Sequence, residues 1–244
     1  MDKEQYWGIT EAGEISFSLD AFDHLYRGNT IITKRLTKPL NEKLIEHKDK
    51  CILHLTCTGF AGTKIEPFVP SVEKTHEMLL ELLDGGFPVR QVVLRIDPII
   101  PTDKGWERAK NVVETFSDCG ITRVRFSILD MYNHVKERFA EAGFPLPYQT
   151  FHAPLQKRLE IRDNLLSLGT AYGFEVEACG EPDIESVPCL SQKDVDILGL
   201  TDVIKLENSK GQRKSCHCPE NKHELLRVKP HRCNNACLYC FWKD

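Results

Sequence analysis

Short apolar runs alternate along the chain with longer segments in which apolar residues recur every three or four positions. The short runs predict buried β-strands, and the longer amphipathic segments predict helices. The strands are expected at residues 31–33, 51–57, 91–96, 123–129 and 174–179. The helices are expected at residues 39–46, 72–83, 106–116, 155–172 and 191–198. Residues 1–30 are weakly patterned, apart from a short amphipathic helix predicted around Phe22.

This order of elements predicts an α/β fold with a parallel sheet, because strands that alternate with helices form βαβ units. No glycine-rich phosphate-binding fingerprint follows a predicted strand, which disfavours a doubly wound dinucleotide-binding fold. A partial (β/α) barrel is the better interpretation. Residues 1–244 are expected to form one domain, in which residues 1–30 are a divergent N-terminal segment and residues 179–244 a cysteine-rich, metal-binding part.

Composition narrows the class of protein. The chain has 244 residues, 41% hydrophobic and 28% charged, which is ordinary for a soluble globular protein. Its formal net charge of −4 gives no overall attraction to nucleic acid or membrane. No apolar window is long enough to span a bilayer, and the N-terminus does not resemble a secretory signal. We therefore expect a cytoplasmic protein without membrane contact, in which the ten cysteines indicate metal binding rather than disulfides.

Three cysteines close to the end of the chain are the strongest chemical signal. Cys233, Cys237 and Cys240 have the spacing C-x3-C-x2-C, and closely spaced thiolates suit zinc and iron–sulfur clusters. A structural zinc is closed by four ligands, so a zinc site requires a distant cysteine or histidine as well. A 4Fe-4S cluster held by three cysteines keeps one iron open to an external ligand. The spacing alone leaves both interpretations open.

This segment, with Tyr239 before the third cysteine, resembles the signature of the radical S-adenosylmethionine (radical SAM) superfamily. The resemblance implies that Cys233, Cys237 and Cys240 bind a 4Fe-4S cluster and that Tyr239 lies beside the adenine of SAM. It also implies reductive cleavage of SAM to methionine and a 5′-deoxyadenosyl radical. Such an enzyme takes its electron from a reducing partner of the flavodoxin or ferredoxin type.

The terminal position of the cysteines is similar to that in an uncharacterised bacterial and phage family, which the chain also resembles at 56–60, 65–67, 95–104, 126–132, 178–181 and 216–218. This resemblance implies a (β/α)6-type barrel, circularly permuted so that the cluster loop and its strand, expected at 225–228, come last. The N-terminal segment is then expected to pack near the cysteine loop. Because spore photoproduct lyase shares the superfamily, a nucleobase, nucleotide or nucleic acid is the suggested substrate, by analogy alone.

Polar residues at the ends of the predicted strands form a second group of candidates. Reactive groups gather at the carboxyl ends of strands in parallel α/β barrels. Arg95 lies in an apolar strand and needs either a carboxylate partner, such as Asp97 or Glu177, or the carboxylate of SAM. The cofactor-binding candidates are Tyr239, Arg95, Thr56, Thr58 and Glu177, and the catalytic candidates are Cys57, Asp97 and Tyr132. Cys57 also suits a small buried core position.

Four further cysteines lie at or beyond the last predicted strand: Cys179, Cys189, Cys216 and Cys218. Four thiolates close a site, so these residues predict either a structural zinc or a second 4Fe-4S cluster. The alternative is that Cys179 and Cys189 are core residues. For the whole protein, the alternative to a radical SAM enzyme is a zinc-stapled structural or nucleic-acid-binding module.

Overall fold

The computed structural model describes residues 3–207, 215–226 and 233–242. Within these residues seven strands form one sheet in which every pairing is parallel. In chain order they are β1 (Trp7–Ile9), β2 (Gly28–Thr33), β3 (Cys51–Thr56), β4 (Val92–Ile99), β5 (Arg123–Ile128), β6 (Glu175–Ala178) and β7 (Lys222–Glu224). The expected α/β class with a parallel sheet is confirmed.

The strand order across the sheet is β6-β5-β4-β3-β2-β1-β7. Each strand from β2 to β6 lies beside the strand that precedes it in the chain, without the reversal of a doubly wound sheet. The last strand, β7, pairs with β1 on the side opposite β2, so the sheet begins with the C-terminal strand and continues with β1 and β2. Strands β6 and β7 are the two edges of the sheet in the described residues.

Helices follow most of the strands and begin at recognisable caps. They are α1 (Lys38–Glu46), α2 (Val72–Asp84), α3 (Asp103–Thr115), α4 (Asn133–Glu141), α5 (Leu155–Tyr172) and α6 (Gln192–Ile197). Ser71 and Thr102 cap α2 and α3, since each side chain accepts a hydrogen bond from a backbone N–H of the first turn. Gly173 ends α5 in the left-handed region at φ 75°, where glycine carries no steric cost.

The structure corrects the expected elements at three places. Residues 15–17 and 19–24 form 3-10 turns instead of one amphipathic helix, and the three-residue strand β1 precedes them. Helix α4 occupies a segment expected to be a loop. The strand before the cysteine loop is β7, at Lys222–Glu224, and not residues 225–228, of which 227 and 228 lie outside the described residues.

The two faces of the sheet differ in character. On one face, apolar residues such as Leu55, Leu94 and Phe126 pack beneath the helices in the main core. The other face, which we name the cavity face, carries Thr56, Arg95 and Ser127 towards the carboxyl ends of β3, β4 and β5. This difference follows from the alternation of side chains along each strand.

The lower part of the cavity face is closed by a small apolar cluster. Trp7, Ile52 and Val93, at the beginnings of their strands, pack against Leu190 and Val195 from the α6 region. Because α6 covers only this end, the carboxyl ends of the strands remain open to a cavity.

His54 lies on the cavity face of β3, fully buried, and neither ring nitrogen has a hydrogen-bond partner among the described residues. Burial lowers the pKa of His54 well below its usual value of 6.5, and Arg125 and Arg95 lower it further. The folded state therefore holds His54 neutral, whereas the unfolded chain protonates it below about pH 6.5. Stability from this residue is present above that pH and is lost as the pH falls.

We expect His54→Phe to remove this pH dependence. Below the unfolded pKa, the free energy of unfolding of the parent protein should fall more steeply, by about 1.4 kcal/mol per pH unit, than that of the variant. Urea unfolding followed by circular dichroism at several pH values measures both slopes. His24→Phe, at an exposed histidine, is the control and should leave the slope unchanged. Equal slopes for the parent and His54→Phe would show that His54 is protonated in the folded state.

None of the helices in the described part of the chain combines the length and apolar character needed to cross a membrane.

Candidate functional site

A cavity of about 710 Å³ opens at the carboxyl ends of the parallel strands. Its lining comes from the segment after β1, the carboxyl ends of the strands with the residues that follow them, the C-terminal cysteine loop, and the segments that hold Cys189 and Cys216. Residues from the sequence candidates in its lining are Thr56, Arg95, Asp97, Tyr132, Cys179, Cys189, Cys216, Cys233, Cys237, Tyr239 and Cys240. One cavity thus brings together all three cysteines of the terminal motif and three of the four cysteines of the second predicted metal site.

The cysteine loop is a compact turn. Ala236 N–H donates to the Cys233 carbonyl at 3.1 Å, and Cys240 N–H donates to the Cys237 carbonyl at 3.3 Å. Ala236 has a φ of 51°, in the left-handed region that non-glycine residues adopt rarely and that clusters at functional loops. The turn directs Cys233, Cys237 and Cys240 to the same cavity.

The Cys237 thiol is buried among charged groups. Burial raises its pKa to about 12, Lys34 opposes the rise, and Glu66, Cys233 and Cys240 add to it. Since the thiolate is the metal-binding form, a metal at this position has to displace the Cys237 proton. The charges of Cys233 and Cys240 affect the pKa of Cys237 because the three side chains lie close together.

Glu66 connects the cysteine loop to the segment after β3. It is only 1% exposed and accepts hydrogen bonds from the Tyr239 hydroxyl, from Thr58 Oγ1 at 2.7 Å and from Lys34 Nζ at 3.1 Å. Leu238 N–H adds a backbone bond to the Ile65 carbonyl at 3.0 Å. Tyr239 is therefore fixed both by its hydroxyl and by its neighbouring backbone, at the edge of the cavity.

Lys34 places a positive charge beside the cysteine motif. Burial lowers the pKa of Lys34, but the charges of Glu66, Cys237 and Asp97 outweigh this effect and the pKa is raised overall. Its Nζ lies 5.2 Å from the centroid of the Tyr239 ring, within the range of a cation–π interaction. The side chain lines the cavity as a permanent cation.

The N-terminal segment packs against the cysteine loop, as expected. Asn235 Nδ2 donates to Glu14 Oε2 at 3.2 Å, and Trp242 Nε1 donates to the Glu11 carbonyl at 3.2 Å. From the opposite side, Arg138 of α4 donates to the carbonyls of Cys240 at 2.7 Å and of Trp242 at 2.9 Å. The loop is thereby held between residues that are far away in sequence.

Arg95 is paired with Asp97, one of the two carboxylates expected for it. Arg95 Nη2 donates to Asp97 Oδ2, and Ser127 Oγ donates to the other oxygen of the same carboxylate. Arg95 Nη1 also lies 3.9 Å from Cys189 Sγ, and within the part of the chain that the structure describes Arg95 Nε has no hydrogen-bond partner. Burial lowers the pKa of Arg95, but Asp97 and nearby cysteines raise it overall, so the guanidinium stays charged.

Three of the cofactor-binding and catalytic candidates lie away from the cavity lining. Glu177 pairs with Arg125, at 2.6 Å, because the two residues are direct cross-strand neighbours in β6 and β5. The Thr58 hydroxyl donates a hydrogen bond to Glu66. Cys57 is a buried core residue whose pKa is raised to about 12 by burial, which leaves a protonated thiol. The cofactor-binding and catalytic expectations for these residues are not supported by their positions.

Sequence reasoning missed several residues of the site: Glu11, Glu14, Lys34 and Glu66. Glu11 lines the cavity and pairs with Lys222 at 2.8 Å. Burial and the charge of Cys189 raise the pKa of Glu11 to about 7, although the charges of Lys222 and Arg95 act to lower it. A glutamate within the short segment Ile65-Glu66-Pro67 is the one local signal that could have indicated a buried carboxylate.

The chain matches one family, described as a domain of unknown function (DUF1848), over residues 27–242. Neither the curated proteins nor the solved structures include a match to the chain.

Proposed function

Because the chain belongs to the DUF1848 family, whose description gives no activity, we propose its function from its own cavity. We infer that it is a radical SAM enzyme, with a 4Fe-4S cluster bound by Cys233, Cys237 and Cys240. The observation that carries this proposal is the position of all three cysteines on one cavity at the carboxyl ends of parallel strands. That end of the sheet is where enzymes of this architecture bind their substrates.

The donor set fits the cluster. Three thiolates are one fewer than the four that a structural zinc or a closed cluster takes. A cluster held by three cysteines leaves one iron for an external ligand. The cavity of about 710 Å³ is also within the roughly 300–1,000 Å³ of small-molecule sites. It has room for a ligand beside the cysteine loop.

When bound by Cys233, Cys237 and Cys240, a 4Fe-4S cluster would supply the electron for reductive cleavage of SAM. The protein's contribution is to position and neutralise charge. Lys34 provides a cation next to Cys237, and Glu66 fixes the Tyr239 ring, which the resemblance assigns to the adenine. Thr56 and Arg95 line the cavity as candidate contacts, with Arg95 oriented by Asp97.

The same proposal extends to the architecture. The sequential strand order, with β7 placed before β1, supports a circularly permuted partial barrel whose cluster loop comes last. With seven strands, the sheet has one more than the six of the expected (β/α)6 barrel. The added strand is β1, from the N-terminal segment.

We propose a cytoplasmic enzyme that receives its electron from a flavodoxin- or ferredoxin-type partner. The resemblance to the superfamily of spore photoproduct lyase suggests a nucleobase or nucleotide as the substrate, by analogy alone. The described residues offer Tyr132, with its ring packed against Phe151 and His134, as an aromatic wall of the cavity for such a substrate.

Electron paramagnetic resonance on anaerobically reconstituted, reduced protein tests this function. A four-iron signal that changes shape when SAM is added is expected, because SAM binds the open iron. Formation of 5′-deoxyadenosine, measured by chromatography, is the second readout. A colourless, air-stable protein that carries zinc at the terminal cysteines would overturn the proposal and favour the zinc-stapled module.

A further inference from the structure

Four cysteines outside the terminal motif converge in the fold. Cys179 Sγ lies 3.5 Å from Cys189 Sγ, and the backbone N–H of Cys189 donates to Cys218 Sγ at 3.3 Å. The side chain of Cys216 hydrogen-bonds that of Cys218. Cys179, Cys189 and Cys218 are at most 7% exposed, so the group is buried, and Cys216 lies at its cavity side.

These four residues come from three separate segments of the chain. Cys179 directly follows β6, Cys189 precedes α6, and Cys216 and Cys218 precede β7. Strands β6 and β7 are the two edges of the sheet in the described residues. Through Cys189, the thiols therefore connect the segment after β6 to the segment before β7.

Two cations, Arg95 and Lys222, favour a thiolate at Cys189, whereas the pKa values of Cys179 and Cys218 are raised and a metal has to displace their protons. Arg95 Nη1 lies 3.9 Å from Cys189 Sγ, and the charge of Lys222 acts on both Cys189 and Cys218. The carboxylate partners of these cations, Asp97 and Glu11, bind them at the cavity side. An N–H donor to sulfur, as at Cys218, further stabilises negative charge on the acceptor.

We propose that Cys179, Cys189, Cys216 and Cys218 bind a metal centre through four thiolates, separate from the terminal motif, and that this centre joins the two edges of the sheet. Four thiolates accept either one zinc ion or a closed four-iron cluster. No three of the four sulfurs lie within 4.8 Å of one another, so the four residues have to move closer to reach the roughly 3.8 Å that Zn–S bonds of about 2.3 Å impose in a tetrahedron. The Cys179–Cys189 distance of 3.5 Å is close to that value.

The experiment removes the terminal motif first, so that this site is measured alone. In a Cys233→Ala/Cys237→Ala/Cys240→Ala chain purified anaerobically, elemental analysis should find about one zinc per chain. About four irons instead would support the same site with a cluster as its occupant. Adding Cys189→Ala should remove the metal, whereas adding Cys51→Ala, at a buried cysteine of β3 outside both groups, should retain it.

A folded triple variant without metal, in which every remaining thiol reacts with a thiol reagent, would overturn the inference. So would a disulfide between Cys179 and Cys189, found by mass spectrometry of the chain purified without reductant. If the triple variant does not fold, X-ray absorption at the zinc edge of the intact protein decides. Four sulfur neighbours support the site, and zinc bound by nitrogen and oxygen contradicts it. The outcome is independent of the SAM response, since that response depends on the terminal cysteines.

Discussion

Alanine at Cys237 is expected to abolish SAM cleavage and the SAM-dependent change in the resonance signal. Cys237 is the most buried cysteine of the terminal motif, at 5% exposure, and its sulfur lies among Lys34, Glu66 and the other two thiols. Without it, two thiolates would remain to hold the proposed cluster. Loss of a residue that merely supports a metal ligand costs about 10–100-fold, so loss of the ligand itself should exceed 100-fold in 5′-deoxyadenosine formation.

The matched control is Cys51→Ala. Cys51 is also fully buried but opens β3 in the main core, away from the cavity lining. This variant should keep both the resonance signal and SAM cleavage. Cys237→Ala protein that still cleaves SAM at the parent rate would exclude the terminal motif as the cluster site.

The second large effect concerns stability. Asp194→Ala should lower the free energy of unfolding by about 3–5 kcal/mol, because removing one partner of a buried ion pair leaves an uncompensated charge. Asp194 Oδ1 accepts from Arg123 Nη1 at 2.8 Å, with side-chain exposures of 0% and 2%. The other carboxylate oxygen caps α6 through Ser191 N–H, at 2.8 Å, and Ser191 Oγ, at 2.9 Å.

Chemical denaturation followed by circular dichroism measures this loss. Asp196→Ala lies in the same helix at an exposed position and should have a much smaller effect. Replacing both Arg123 and Asp194 by leucine should recover part of the stability, since no unpaired charge then remains. A single Asp194→Ala variant as stable as the parent would mean that Arg123 reaches solvent in the folded protein.

The regular elements could be predicted because their signals are local. The apolar run ending at Ile96 indicated a buried strand, Ser71 marked the start of a helix, and Gly173 marked the end of another. Strand β1 has three residues and is too short to show an alternation. Helix α4 was missed because few apolar residues mark its buried side, where Arg138 lies beside Val135 and Phe139.

The cysteines that line the cavity could be predicted from the sequence, but the residues that hold them in place could not. The spacing C-x3-C-x2-C indicated that Cys233, Cys237 and Cys240 lie together, and all three line the cavity. The bond between Tyr239 and Glu66 joins residues separated by 173 positions, and no local pattern encodes it. The position of Glu177 followed from cross-strand pairing with Arg125, which strand prediction without register does not provide.

The placement of β1 between β2 and β7 affects how the protein is made. Trp7 pairs with Lys222, so the first strand gains its second neighbour only when the C-terminal part of the chain has left the ribosome. At about 5–20 residues per second, this interval is on the order of 10–40 s. Until then one edge of β1 is unpaired and open to association with other chains. The contacts of the cysteine loop with Glu11 and Glu14 likewise form only after that part of the chain has been synthesised.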